Sequence, residues 1–145
     1  MIVELSECQV VVPELLEGAR VAQALARIGT SRKGELSVAV ALSEAGLDVR
    51  EEGRKPLDGP LRIARAQLAE SEDLARLTWD EETVVTRRPP IQDFDGIAVT
   101  PPPGAFLQAT KESERLLQDE VAAILAGTEP VIDLFAGCGT FALPL

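Results

Sequence analysis

The residue types best suited to chemistry are gathered in one stretch, Val131-Ile132-Asp133-Leu134-Phe135-Ala136-Gly137-Cys138-Gly139-Thr140-Phe141. Its apolar start predicts a strand of the kind that a parallel sheet buries on both faces. The glycines that follow let a ligand come close to the backbone, and a helix opening after them would offer free N–H groups. In an open parallel sheet such a turn lies at the carboxyl end of the strands, where ligands bind. Asp133, at the end of the expected strand, is placed to take a cationic amino group or a ribose hydroxyl. Three readings stand open on this pattern. Gly137-Cys138-Gly139-Thr140-Phe141-Ala142 satisfies the G-x-G-x-x-G/A dinucleotide fingerprint. Asp133, together with a sizeable helix ahead of the strand, suits S-adenosylmethionine better than a pyrophosphate. The third reading is an ordinary strand-to-helix turn that binds nothing.

Composition removes other chemistries. The sequence has no His and no Tyr, which excludes a Ser-His-Asp triad, a His-paired Cys nucleophile and most zinc sites. The two cysteines, Cys8 and Cys138, lie far apart in sequence and suggest no disulfide framework. A formal net charge of −10, with 14 basic residues among 24 acids, gives little to hold phosphates. Arg32-Lys33, Arg54-Lys55 and Arg87-Arg88 read as solvated loops or strand edges, so most of the grip on any nucleic acid must come from elsewhere. No run approaches the ~20 consecutive apolar residues of a membrane span. Met1 to Glu7 carry two acids and no base, unlike the start of a signal peptide. A reducing cytoplasm is the expected location.

The elements that must position the glycine stretch can be followed along the chain. Pro13 to Ile28 reads as a helix, with Pro13 at its first position, Glu14 and Glu17 at its positive end and Gly29 at its exit. Thr30 to Gly34 is a polar turn. Leu36, Val38 and Val40 alternate with smaller residues and predict a strand, followed by a turn over Ser43–Gly46 and a second arm, Leu47-Asp48-Val49. Glu51 to Pro60 reads as a loop, and Pro60 opens a helix through Leu61, Ala64 and Leu68 that frays near Ser71. Leu74, Leu77 and Trp79 are expected to pack back on the core. Thr83–Thr86 is a strand, and Phe94-Asp95-Gly96-Ile97 is a hairpin turn into Ile97-Ala98-Val99. Pro101-Pro102-Pro103-Gly104 is the clearest linker, and a domain boundary is expected there. Beyond it Thr110 caps a helix carrying Leu116, Leu117, Val121, Ile124 and Leu125, which Gly127 ends.

The run from Asp133 to Leu145 resembles the first cofactor motif of the RNA uracil-5-methyltransferase family. Pro103-Gly104-Ala105-Phe106-Leu107-Gln108-Ala109-Thr110 resembles that family's Pro-Gly-x-Phe-x-Gln segment, and the two are spaced as in the family, with one helix between them. The resemblance implies transfer of a methyl group from S-adenosylmethionine to C5 of a uridine in structured RNA, either rRNA or tRNA. It also implies an α/β chain: a mixed α+β domain over 1–104, then the first helix and strand of a truncated, doubly wound, Rossmann-like methyltransferase domain over 105–145. On this resemblance Gln108, Phe135 and Thr140 match positions that contact the cofactor, and Gly137 and Gly139 shape the loop; Asp133, placed by its position at the strand end, joins them as an expected cofactor-binding residue. Thr140 stands where Asn is common.

Near the start, Glu7-Cys8-Gln9-Val10-Val11-Val12-Pro13 resembles the segment bearing the last cysteine ligand of an iron–sulfur cluster in some members, although Gln9 replaces the usual Pro. Cys8 would be such a ligand only in a longer parent. The family's reaction needs a Cys thiolate that adds to C6 of the uracil and a carboxylate that removes the C5 proton. Both are expected beyond Leu145, so the chain alone is expected to be inactive, and Cys138, set between the loop glycines, is not the nucleophile. An apolar strand whose sheet partners are missing further predicts self-association, or a tail folded back onto the first domain. A dinucleotide-dependent enzyme and a non-catalytic binding module remain the alternatives.

Overall fold

Helix α1 (Pro13–Gly29) starts where proline presets the first turn: Leu15 N–H donates to the Val12 carbonyl at 3.0 Å, Glu14 lies at the positive end and Arg27 at the negative end. Val21 and Leu25, one helical turn apart, are fully buried. The computed structural model describes residues 7–29, 35–53, 56–128 and 130–145. The expected turn over Thr30–Gly34 and the basic pairs Arg32-Lys33 and Arg54-Lys55 lie outside the described residues.

The described residues form two units, Met1–Pro90 and Ile91–Leu145. In the first, strands β1 (Leu36–Ser43) and β2 (Gly46–Gly53) pair antiparallel through a turn in which Ser43 faces Gly46. Ser43 Oγ closes that turn by donating to the Gly46 carbonyl at 2.7 Å and accepting from Ala45 N–H at 3.2 Å. Helix α2 (Gly59–Ser71) then crosses over, capped by Asp58, whose carboxylate accepts from Leu61 N–H at 2.9 Å. The crossover brings β3 (Arg76–Trp79) parallel to β2, and β4 (Glu82–Thr86) turns back antiparallel to β3, giving a sheet of order β1-β2-β3-β4. Both helices pack on the sheet, enclosing Val21, Leu25, Val49, Ala69, Leu74 and Leu77. Glycines set two of these approaches. A Cβ on Gly18 would lie 2.9 Å from the Val40 side chain, and one on Gly53 would overlap the Trp79 indole.

Two charge pairs are buried within this unit. Arg65 on α2 is fully buried, lies 4.1 Å over the Trp79 ring and donates to Glu51 at 2.5 Å. Arg76 and Asp48 form a bidentate pair at 2.8 and 2.6 Å.

In the second unit, β5 (Gln92–Phe94) and β6 (Ile97–Val99) make a hairpin whose turn residues Asp95 and Gly96 both hold positive φ, +53° and +85°. Helix α3 (Lys111–Leu125) is capped by Thr110, which accepts from Ser113 N–H at 3.1 Å. Lys111 ties the hairpin to the helix. Its ammonium donates to the Asp93 carbonyl at 3.2 Å, sits 5.3 Å over the Phe94 ring and pairs with buried Glu114 at 2.9 Å.

Leu74, Leu77 and Trp79 pack on the core as expected, the last two within strand β3. Three expectations need correction. Glu51–Gly53 is not loop but the end of β2. Val131–Phe135 forms no strand, and no helix follows the glycines: residues 131–145 are turns and irregular chain. A parallel strand exists only by donating to and accepting from neighbours, and among the described residues nothing pairs with this segment. The mixed α/β character holds. Among the described residues no helix is long and apolar enough to cross a membrane.

Candidate functional site

The glycine stretch folds as a succession of tight turns. Phe135, Gly137 and Gly139 hold φ at +65°, +61° and +86°. Gly139 N–H donates to the Ala136 carbonyl and Leu143 N–H to the Gly139 carbonyl, both at 2.9 Å. At Gly139 the absence of a side chain is required twice over, by the positive φ and by Leu143, whose Cγ would lie 2.7 Å from a Cβ. A Cβ at Gly137 would meet nothing within 4 Å, so the space beside that backbone is open.

Helix α3, the segment after it and the last residues enclose a half-open cleft of about 670 Å³, within the range of small-molecule sites. Its lining includes Ala122, Leu125 and Ala126 of the helix end, Asp133, and Ala142 and Pro144 beyond the glycines. The helix end contributes partial negative charge. Thr128 N–H takes the Leu125 carbonyl at 2.8 Å. Asp133 adds a carboxylate, and no Lys or Arg is among the lining residues. A carboxylate with no basic side chain beside it disfavours a pyrophosphate and suits a cationic group.

The expected site residues are placed as follows. Asp133 lines the cleft. Gly137, Gly139 and Thr140 form the turn leading from Asp133 to the cleft wall at Ala142. Thr140 is buried, at 8% exposure, and its carbonyl accepts from Gln118 Nε2 of α3 at 2.8 Å. Phe135 is fully exposed, and Gln108 is half-buried in the segment preceding α3. Neither is among the residues lining the cleft. Gln118 was not legible as a site residue. Its only signal is helical spacing, four residues before the cleft-lining Ala122 and four after the buried Glu114.

Cys138 is half-buried, and burial pushes its thiol pKa up. It is therefore held as the poorly nucleophilic thiol. Cys8 is half-buried in the first unit, and among the described residues no three His, Cys, Asp or Glu side chains gather as a metal site. A cluster takes four thiolates, and the two present, in different units, do not fit one.

Of the basic pairs named from sequence, Arg87-Arg88 is described, and its guanidinia are committed. Arg87 donates to Asp73 at 2.6 Å, while Arg88 donates to Asp73 at 2.8 Å and to the Ala45 and Asp73 carbonyls. These hydrogen bonds hold the Asp73 carboxyl down at about 2. The pair serves as internal cross-bracing and leaves little to offer a phosphate.

No family model matches the chain. It is 35% identical, over 99% of its length, to an uncharacterised RNA methyltransferase of Mesorhizobium japonicum. It is 39% identical, over 98% of its length, to an uncharacterised RNA methyltransferase of Brucella suis. Over nearly its whole length the chain is thus similar to proteins named RNA methyltransferases. A shorter match, 33% identical over 71% of the chain, is to the 23S rRNA (uracil(1939)-C(5))-methyltransferase RlmD of Tolumonas auensis, of which it covers 24%. The chain spans about a third of the length of the curated relatives it matches, 35% and 34% of the first two. The relatives' names do not favour the dinucleotide reading of the glycine stretch.

Proposed function

We propose that these 145 residues are part of an S-adenosylmethionine-dependent enzyme that methylates C5 of a uridine in rRNA or tRNA. On this reading 1–104 is the enzyme's central domain, and 105–145 opens a Rossmann-like cofactor domain whose sheet is completed by polypeptide outside this chain. The observation that supports the cofactor assignment is the cleft lined by Asp133, the end of α3 and the last residues, with no basic side chain among them. When bound, S-adenosylmethionine supplies an electrophilic methyl group. Asp133 accepts from its amino group or ribose hydroxyl, and the Gly137–Thr140 turn lets the ligand approach the backbone. Gln108 and Phe135 are assigned as further cofactor contacts, made once the rest of the cofactor domain is in place. The uracil specificity rests on the family resemblance and on the relationship to RlmD.

Uracil C5 is a poor nucleophile until a thiolate adds at C6; once C5 carries the new methyl group, a carboxylate must take the C5 proton so that the C6–S bond breaks and the thiolate leaves. Burial disfavours the Cys138 thiolate, so it is given neither role, and both groups are assigned to residues beyond these 145. With so many of its guanidinia committed to carboxylates, the chain contributes little to RNA affinity. Cys8 is a cluster ligand only where three further thiolates join it.

The test is calorimetric titration of the enzyme, at the full length of its reading frame, with S-adenosylhomocysteine and separately with NADH. Saturable heat from S-adenosylhomocysteine and none from NADH is expected. The reverse pattern overturns the assignment.

A further inference from the structure

Thr140 is the buried point of an otherwise mostly exposed segment, and what holds it is a side chain from α3. Gln118 Nε2 donates to the Thr140 carbonyl at 2.8 Å in a part-buried contact. Between Ala136 and Leu143 the turn has two backbone hydrogen bonds of its own, Gly139 to Ala136 and Leu143 to Gly139. Three of its residues or near neighbours, Phe135, Gly137 and Gly139, sit at positive φ. So short a set of local bonds does not by itself fix where the turn lies against the helix. Gln118 also stands one helical turn before Ala122, which lines the cleft, while Ala142, Pro144 and Leu145, which follow Thr140, form part of the same lining. One hydrogen bond therefore connects the helix that makes one wall to the turn that carries part of the other.

We propose that Gln118 is a positioning residue of the cofactor site, fixing the glycine turn and the cleft wall after it by donating to the Thr140 carbonyl. It touches no ligand and acts through the turn. The inference rests on the cofactor reading above, yet its geometry can be tested without a ligand.

Gln118→Met keeps the length of the side chain and removes the donor, and Gln118→Lys restores an N–H donor at similar reach. Amide hydrogen exchange of Gly137–Phe141 and S-adenosylhomocysteine affinity are measured on the full-length enzyme for both variants, beside the melting temperature. In Gln118→Met the turn amides should exchange faster and the affinity should fall about five- to tenfold, the loss of one hydrogen bond of ordinary strength. Gln118→Lys should recover both, with the melting temperature of the two variants alike. Unchanged turn exchange in Gln118→Met overturns the anchor. Faster exchange with unchanged affinity overturns its role in the site. A wild-type enzyme that binds no S-adenosylhomocysteine removes the cofactor reading and leaves the anchor to be decided by exchange alone.

Discussion

Gly139 and Gly137 both hold positive φ, but they differ in what surrounds them, and the difference is a test of the site. At Gly139 a side chain meets both an unfavourable backbone conformation and Leu143. Such strain costs on the order of 1–3 kcal/mol before any clash is counted. Gly139→Val is expected to break the Leu143-to-Gly139 hydrogen bond and to weaken S-adenosylhomocysteine by more than about tenfold, as one such increment of 1.4 kcal/mol already implies. Gly137→Ala bears the backbone penalty alone, about 1–2 kcal/mol, and enters open space. It should cost less in the free enzyme and be felt mainly where the ligand would lie. Calorimetry on both variants checks this, and equal affinities for both and for wild type would contradict the placement of the ligand. Asp133, Gly137 and Gly139 stand out in the sequence by their types and spacing, and the structure sets Asp133 on the cleft and both glycines at positive φ. The commitment of Arg87 and Arg88 to Asp73 could not, because it depends on a turn 14 and 15 residues away that no local pattern reports.

The elements legible in advance were those with strong local signals: α1 behind its proline, the β1–β2 turn, the Asp95-Gly96 hairpin, and α3 behind Thr110. The burial of Leu77 and Trp79 was expected but their strand was not, because a central strand buried on all four residues shows no alternation. The end of β2 was missed for a related reason. Glu51 reads as solvated, yet it is fully buried against Arg65. Burial pushes the Glu51 carboxyl pKa up, and the hydrogen bond from Arg65 only partly opposes it. With the folded pKa above the unfolded value of about 4.3, the stability linked to protonated Glu51 is full below that value and is lost as pH rises through the folded pKa. Arg65→Met removes the opposing guanidinium, so its stability should fall more steeply with rising pH than that of wild type. The loss near neutral pH should reach about 3–5 kcal/mol, the usual cost of leaving one partner of a buried pair. Adding Glu51→Leu should restore most of it. Urea unfolding between pH 4 and 7 measures both, and a pH-independent difference would show that Glu51 is not the group responsible.

At the scale of the whole chain, the expected strand Val131–Phe135 is instead irregular, and its side chains are uncovered. Ile132, Leu134 and Phe135 are exposed, as are Leu116, Leu117 and Ile124 of α3. This is the stretch where sequence and structure part most, since a buried parallel strand is defined by its partners and among the described residues none pairs with it. Exposed apolar groups in this number favour association. Light scattering on the isolated chain should show mass rising with concentration, and Ile132→Asp with Phe135→Ser should suppress the rise; a monomer at all concentrations would contradict it. The central claim, that these residues belong to a uridine C5 methyltransferase, is tested most directly by its product. The gene, expressed at the full length of its reading frame in a strain lacking uridine C5 methylation, should restore 5-methyluridine to rRNA or tRNA as read by nucleoside mass spectrometry. Gly139→Val should abolish it. No 5-methyluridine from a folded wild-type enzyme, or a methyl group found on another base or position, would contradict the account.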